Sequence, residues 1–169
     1  CSGVVASLFR GALAAAEALR FRLTEWAHQM SDWGWIFPVL FGAGCAALSL
    51  FLVRRFSPES SGSGIPHLKA VLSRLRTMTW FRILPVKFVA GVLAIGGGLA
   101  LGREGPTVQM GGAVGDAIGG FFKAAPRERR ALIASGAGAG LAAAFNAPLS
   151  GLTFVLEELQ RDFNPIVFA

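Results

Sequence analysis

Residues 33–53 read WGWIFPVLFGAGCAALSLFLV, and not one of them is charged. A helix needs about 20 apolar residues to cross the hydrocarbon core of a bilayer. A second uncharged run covers residues 131–156. A chain of 169 residues has no interior that could bury both runs along with the rest of its apolar sequence. Only 15% of the residues are charged and 22 are Gly, against about 25% charged in an average soluble domain. The fold class that follows is an all-α integral membrane protein of multiple tilted and broken transmembrane helices.

The net charge of +6 raises the question of a nucleic-acid partner, and its distribution argues against one. Arg54, Arg55, Arg74, Arg76, Arg82, Arg127, Arg129 and Arg130 all fall in short polar gaps between apolar runs. Lys and Arg in such gaps mark cytoplasmic loops. The gap 24–34 has neither, carries Glu25 and Asp32, and is expected to face outward. No basic face interleaved with aromatics is present. Cys1 and Cys45 form no disulfide framework or metal pattern, and no metal or cofactor is expected. No nucleophile–base pair appears, so an enzyme is not expected either.

From these gaps we expect helices over 4–30, 35–56, 66–75, 85–101, 106–122, 130–145 and 148–160. Trp33, Trp35 and Phe37 form an aromatic collar at the outer interface. Gly111, Gly115 and Gly119, and Gly136 and Gly140, recur every four residues, a spacing that lets membrane helices approach closely. The chain starts at Cys1 rather than Met and ends in Ile166-Val167-Phe168-Ala169. We therefore expect a piece of a longer protein.

The chemistry lies in a local event that occurs three times. A Gly- or Asn-bearing break is followed by Pro66, Pro106 or Pro148 and then by a helix. A broken helix inside a bilayer leaves backbone N–H groups unpaired, which hydrocarbon does not tolerate unless protein or a cavity supplies partners. A helix start presents free N–H donors and a partial positive charge. Two or more of them converging at mid-membrane make an anion site, weak enough to release a partly dehydrated halide. Ser63 offers a hydroxyl donor at one such start, and simple helix capping is an equal reading. Glu104 is a carboxylate in a stretch whose one other charge is Arg103. An intramembrane carboxylate is a functional candidate by default, with an ion pair to Arg103 as the structural alternative. Competing with the anion and released by protonation, Glu104 would couple anion occupancy to a proton. Glu157 and Glu158 end the last helix, where carboxylates oppose the dipole. They read as a solvated terminus or as a placement that helix stability does not explain.

Gly62-Ser63-Gly64-Ile65-Pro66, Gly102-Arg103-Glu104-Gly105-Pro106 and Phe145-Asn146-Ala147-Pro148-Leu149 occur in that order. With Thr107-Val108-Gln109 and Leu156-Glu157-Glu158, the sequence resembles the CLC family of chloride channels and proton-coupled exchangers over nearly its whole length. The resemblance implies that residues 1–169 hold part of a CLC-type transmembrane domain: a preceding helix and most of the first inverted repeat, without the second. It implies chloride as the anion, held by Ser63, Gly64, Ile65, Arg103, Glu104 and Gly105. Glu104 would be the gating glutamate, Glu158 the inner proton-transfer carboxylate, and Lys87 a supporting charge near the path. An acid at Glu158 favours a chloride/proton exchanger over a passive voltage-gated channel. His67 departs from the acidic residue often found after the first Pro. The partners implied are chloride, protons, the lipid bilayer and a second copy in a homodimer. The location implied is a bacterial-type plasma (inner) membrane. The absent repeat would supply a further helix start and a tyrosine hydroxyl, and this chain has no Tyr. A half protein that only assembles with or regulates another subunit is the remaining alternative.

Overall fold

The computed structural model describes residues 1–30 and 34–159. Asp32, Trp33 and the expected end of the last helix at Gln160 lie outside the described residues. Among the described residues seven α-helices follow one another: α1 Ser2–Met30, α2 Ile36–Phe56, α3 Ile65–Leu72, α4 Trp80–Gly96, α5 Glu104–Phe121, α6 Pro126–Phe145 and α7 Pro148–Phe154. A 3₁₀ turn, Pro58–Ser60, precedes α3, and a π-helical turn, Val155–Leu159, continues α7. Segments Ser2–Gln29 and Ile36–Phe56 are long and apolar enough to cross a membrane. Not one residue of α2 is buried, and its packed side lies against α4, where Ser49 Oγ donates to the Ala90 carbonyl at 2.9 Å.

Several boundaries differ from the sequence expectation, each for a local reason. The helix expected over 85–101 spans Trp80–Gly96 and carries Pro85 in its interior. Proline forfeits one backbone bond there, while Ile83, Lys87, Ala90 and Ala94 are buried along the same helix. The helix expected from residue 130 starts at Pro126. Pro fits the first turn, and Glu128 Oε2 accepts the Ala125 N–H at 3.0 Å. The helix expected from residue 106 starts two residues earlier, at Glu104. The expected helix 66–75 ends at Leu72 because Arg74 takes a left-handed φ of 60°. The N–H groups of Leu75 and Arg76 then fold back onto the Ala70 carbonyl, at 2.8 and 3.2 Å, a termination that satisfies otherwise orphaned acceptors.

The centre of the molecule is the antiparallel pair α5 and α6. A Cβ added to Gly111 would collide with the Gly136 carbonyl oxygen, and one added to Gly140 with the Thr107 carbonyl oxygen. Backbone thus meets backbone, as the four-residue glycine spacing implied. Leu68 and Val71 of α3, Ile83 of α4, Val108 and Ala113 of α5, and Ile133, Ala137 and Leu141 of α6 form the main core with Val155 and Leu159. A smaller cluster docks α1: Phe9 and Leu13 pack with Met110 of α5, and Phe9 meets Phe88 edge-on at 5.5 Å between ring centroids. Asp116, 1% exposed, accepts from Arg129 Nε at 2.6 Å and ties the last turns of α5 to the first turn of α6.

Candidate functional site

Two of the three helix breaks meet. The segment 57–64 brings Ser63 against the start of α5, so that a Cβ on Gly105 would lie 3.0 Å from both the Ser63 Cα and Cβ. Gly64 turns the chain into α3 with a φ of 84°. An L side chain there would be strained and would also run into Gln109. No side-chain cap bond closes the start of α3 or of α5. Thr107 Oγ1 points back to the Arg103 and Glu104 carbonyls, at 3.1 and 2.8 Å. The first-turn N–H groups of both helices are therefore not used up by side chains.

A cavity of about 590 Å³ opens at this junction, lined by Ser63, Ile65, Lys87, Glu104, Gly105 and the α2 face of Ala46, Ser49, Leu50 and Val53. Gly64 shapes the turn but does not line the cavity. Lys87 is 5% exposed. A buried ammonium is costly at membrane depth, and here the Ser60 and Gly62 carbonyls accept from its Nζ at 2.8 and 2.6 Å. Lys87 therefore places a positive charge at the cavity wall and fixes the loop that carries Ser63.

Glu104 lines this cavity and also a second one, of about 680 Å³, on its α1 side. There it stands with Arg103, Arg10 and Glu17. Its carboxylate bends back over Gly102, where an added Cβ would collide with Oε2. No ion pair joins Glu104 to Arg103 among the described residues. Arg103 faces the second cavity and does not line the one that holds Ser63. The third break, at Asn146 with a left-handed φ of 54°, is not part of either cavity. Glu158 is also remote from both and pairs with Lys69 of α3.

Sequence reasoning missed the groups that hold the Ser63 loop from behind. Gln109 has no exposed surface, and its Nε2 donates to the Glu59 carbonyl at 2.9 Å. Thr79 Oγ1 donates to Glu59 Oε2 at 2.6 Å. His67 is half-buried beside Gln109, 3.4 Å from ring Nδ1 to the amide nitrogen. The available signal was an uncharged polar residue, Gln109, inside the small and apolar run of α5. Amides in such runs are retained where they satisfy a neighbouring backbone.

Uncapped helix starts facing a cavity inside a bundle of broken helices define a membrane protein of the channel and transporter class. A sequence profile of the voltage gated chloride channel family matches residues 45–169, and the chain belongs to that family. It is 45% identical over 168 residues to the H(+)/Cl(-) exchange transporter ClcA of Vibrio vulnificus strain YJ016, covering 96% of this chain and 35% of that protein. It is 46% identical over 170 residues to the transporter of the same name from Cronobacter sakazakii, with 96% and 36% covered. Among solved structures, a slow cyanobacterial Cl-/H+ antiporter superposes with a TM-score of 0.92 at 41% identity, over 98% of this chain and 40% of that one. A eukaryotic CLC transporter superposes with a TM-score of 0.80 at 26% identity, over 99% and 33%. The chain thus has the CLC fold in its first part, and it spans about a third of the length of the curated relatives it matches.

Proposed function

We propose that this chain is the first part of a chloride/proton exchanger, a transporter rather than an enzyme, working in the plasma membrane as a homodimer. The observation that carries the reading is the position of Glu104, the shared wall between a cavity with helix-start donors and a second polar cavity. In this reading chloride sits beside Ser63, with the backbone of Ile65 and Gly105 turned toward it. Helix starts suit such an ion because their donors and dipoles replace its hydration shell without a full countercharge. Lys87 keeps the local potential positive, and Arg103 draws anions toward the outer approach. An ionised Glu104 competes with chloride for the same donors. A neutral Glu104 no longer competes, and the proton it then carries is the exchanged one. Glu158 collects protons at the inner end. The names of the relatives at 45% and 46% identity support exchange over passive conduction.

The test is the reversal potential of the full-length protein in a planar bilayer, with the chloride gradient fixed and the pH gradient varied. An exchanger gives a reversal potential that moves with the pH gradient. A value pinned at the chloride equilibrium potential at every pH gradient would make the protein a passive channel. No current and no vesicle flux without a second, different subunit would make the chain an assembly component.

A further inference from the structure

The inner end of the fold carries an ion pair that neither the anion cavity nor Glu104 accounts for. The Lys69 ammonium of α3 donates to Glu158 Oε1 on the π-helical turn. The two side chains are 41% and 47% exposed. Carboxylates at the end of a helix oppose its dipole, and the contact supplies a cation from a helix distant in the chain.

The place of Lys69 on α3 matters more than the contact by itself. It lies four residues, about 6 Å, beyond Ile65, which lines the anion cavity. The helix between them is firmly seated. Leu68 has no exposed surface and packs into Gly112 of α5, and Val71 is buried on the same side. One short rigid helix therefore offers its start to the anion cavity and a cation to Glu158.

The elements packed against the π-helical turn are α3, α6 and α7. Their charged or titratable residues are His67 and Lys69 on α3, and Arg127, Glu128, Arg129 and Arg130 at the beginning of α6; α7 has none. Arg129 is engaged by Asp116, and Glu157 is the acidic neighbour on the turn itself. The Lys69 ammonium is in direct contact with the Glu158 carboxylate.

Resting on the reading of Glu158 as the inner proton carboxylate, we propose that Lys69 is a positioning residue for proton exchange, which holds Glu158 ionised against α3 and sets the internal pH at which it loads. An ammonium in contact with a carboxylate favours the charged form. In the loading step a proton from internal water adds to a Glu158 carboxylate oxygen. The carboxyl becomes neutral and its attraction to Lys69 is lost, while Lys69 keeps its three protons. Passing the proton on toward Glu104 restores the carboxylate and the pair. The sign follows directly: without the cation, Glu158 takes up a proton at higher pH.

The test uses the full-length protein in liposomes, with chloride and proton fluxes measured against internal pH for Lys69→Gln, Lys69→Met, Lys69→Arg, Glu158→Gln and the double variant Lys69→Gln/Glu158→Gln. Both neutral variants should move the internal-pH midpoint of coupled proton flux upward by about half a pH unit, the scale set by an exposed ion pair. Arginine should keep the original midpoint. In the double variant, losing Lys69 should change nothing beyond the effect of Glu158→Gln. If Glu158→Gln alone leaves coupled flux intact, the reading of Glu158 fails, and the proposal with it. If Glu158→Gln uncouples but both neutral variants keep the original midpoint at normal chloride flux, Lys69 only braces a helix end and the proposal is overturned.

Discussion

Glu104→Gln in the full-length protein should leave chloride moving and bring chloride-driven proton uptake down to the background of protein-free liposomes. The amide keeps the shape of the carboxyl group but neither ionises nor carries a proton. Removing a positioned acid–base group typically costs on the order of 10²-fold or more in proton transfer. Chloride flux should persist because the donors around the cavity, Ser63 and the starts of α3 and α5, do not depend on Glu104 ionising. The neutral amide also stops competing for them. The measurement is paired: a chloride electrode and a pH electrode on the same vesicles. Proton uptake that continues in fixed ratio to chloride would remove Glu104 from the mechanism, whatever the family resemblance.

Gly111→Leu should abolish the folded protein rather than alter its transport. At this position the neighbour that a side chain would meet is the Gly136 backbone, which cannot rotate away as a side chain can. Inserting carbon atoms into a filled core costs roughly 1–3 kcal/mol even where neighbours can shift, so the expected loss sits at or above the upper end of that range. Gly44→Leu is the control, because a Cβ at Gly44 on α2 meets nothing within 4 Å. Size-exclusion profiles and thermal unfolding in detergent should show aggregation for the first and a near-normal peak for the second. Equal behaviour of the two would mean that the glycine spacing on α5 has no packing role.

The sequence showed where the helices break more clearly than where they begin. Gly and Pro mark each break because they alter the backbone itself, so the junctions before Pro66, Pro106 and Pro148 were legible at once. The starts were read too literally from proline. Pro85 sits inside α4, where burial of the following residues outweighs one missing backbone bond, and Pro106 is the third residue of α5, where an N–H would have had no partner within the helix. Ser63, Gly105, Glu104 and Lys87 line one cavity, whereas Arg103 turns to the other and the third break lies apart. Gln109 stood out as a polar residue within α5, but neither its partner nor that of Lys69 could be read. Their partners, Glu59 and Glu158, stand 50 and 89 residues away in the chain, and no period or local pattern reaches that far. The glycine ladder was legible as a spacing, but which helix it would touch was not.

The contact between α5 and α6 also has a bearing on the order in which this chain acquires its shape. Residues 122–125 are all that separates the two helices, so the most crowded interface in the molecule closes a short loop, at small entropic cost. The cavity beside Ser63 needs residues from 46 to 106 to be placed together, a far more distant closure. Interfaces between neighbours in sequence form early and fast. The hairpin can therefore assemble as soon as it leaves the ribosome and serve as the surface on which α3 and the Ser63 loop later settle. A lesion at Gly111 would then act during synthesis, before there is a cavity to damage.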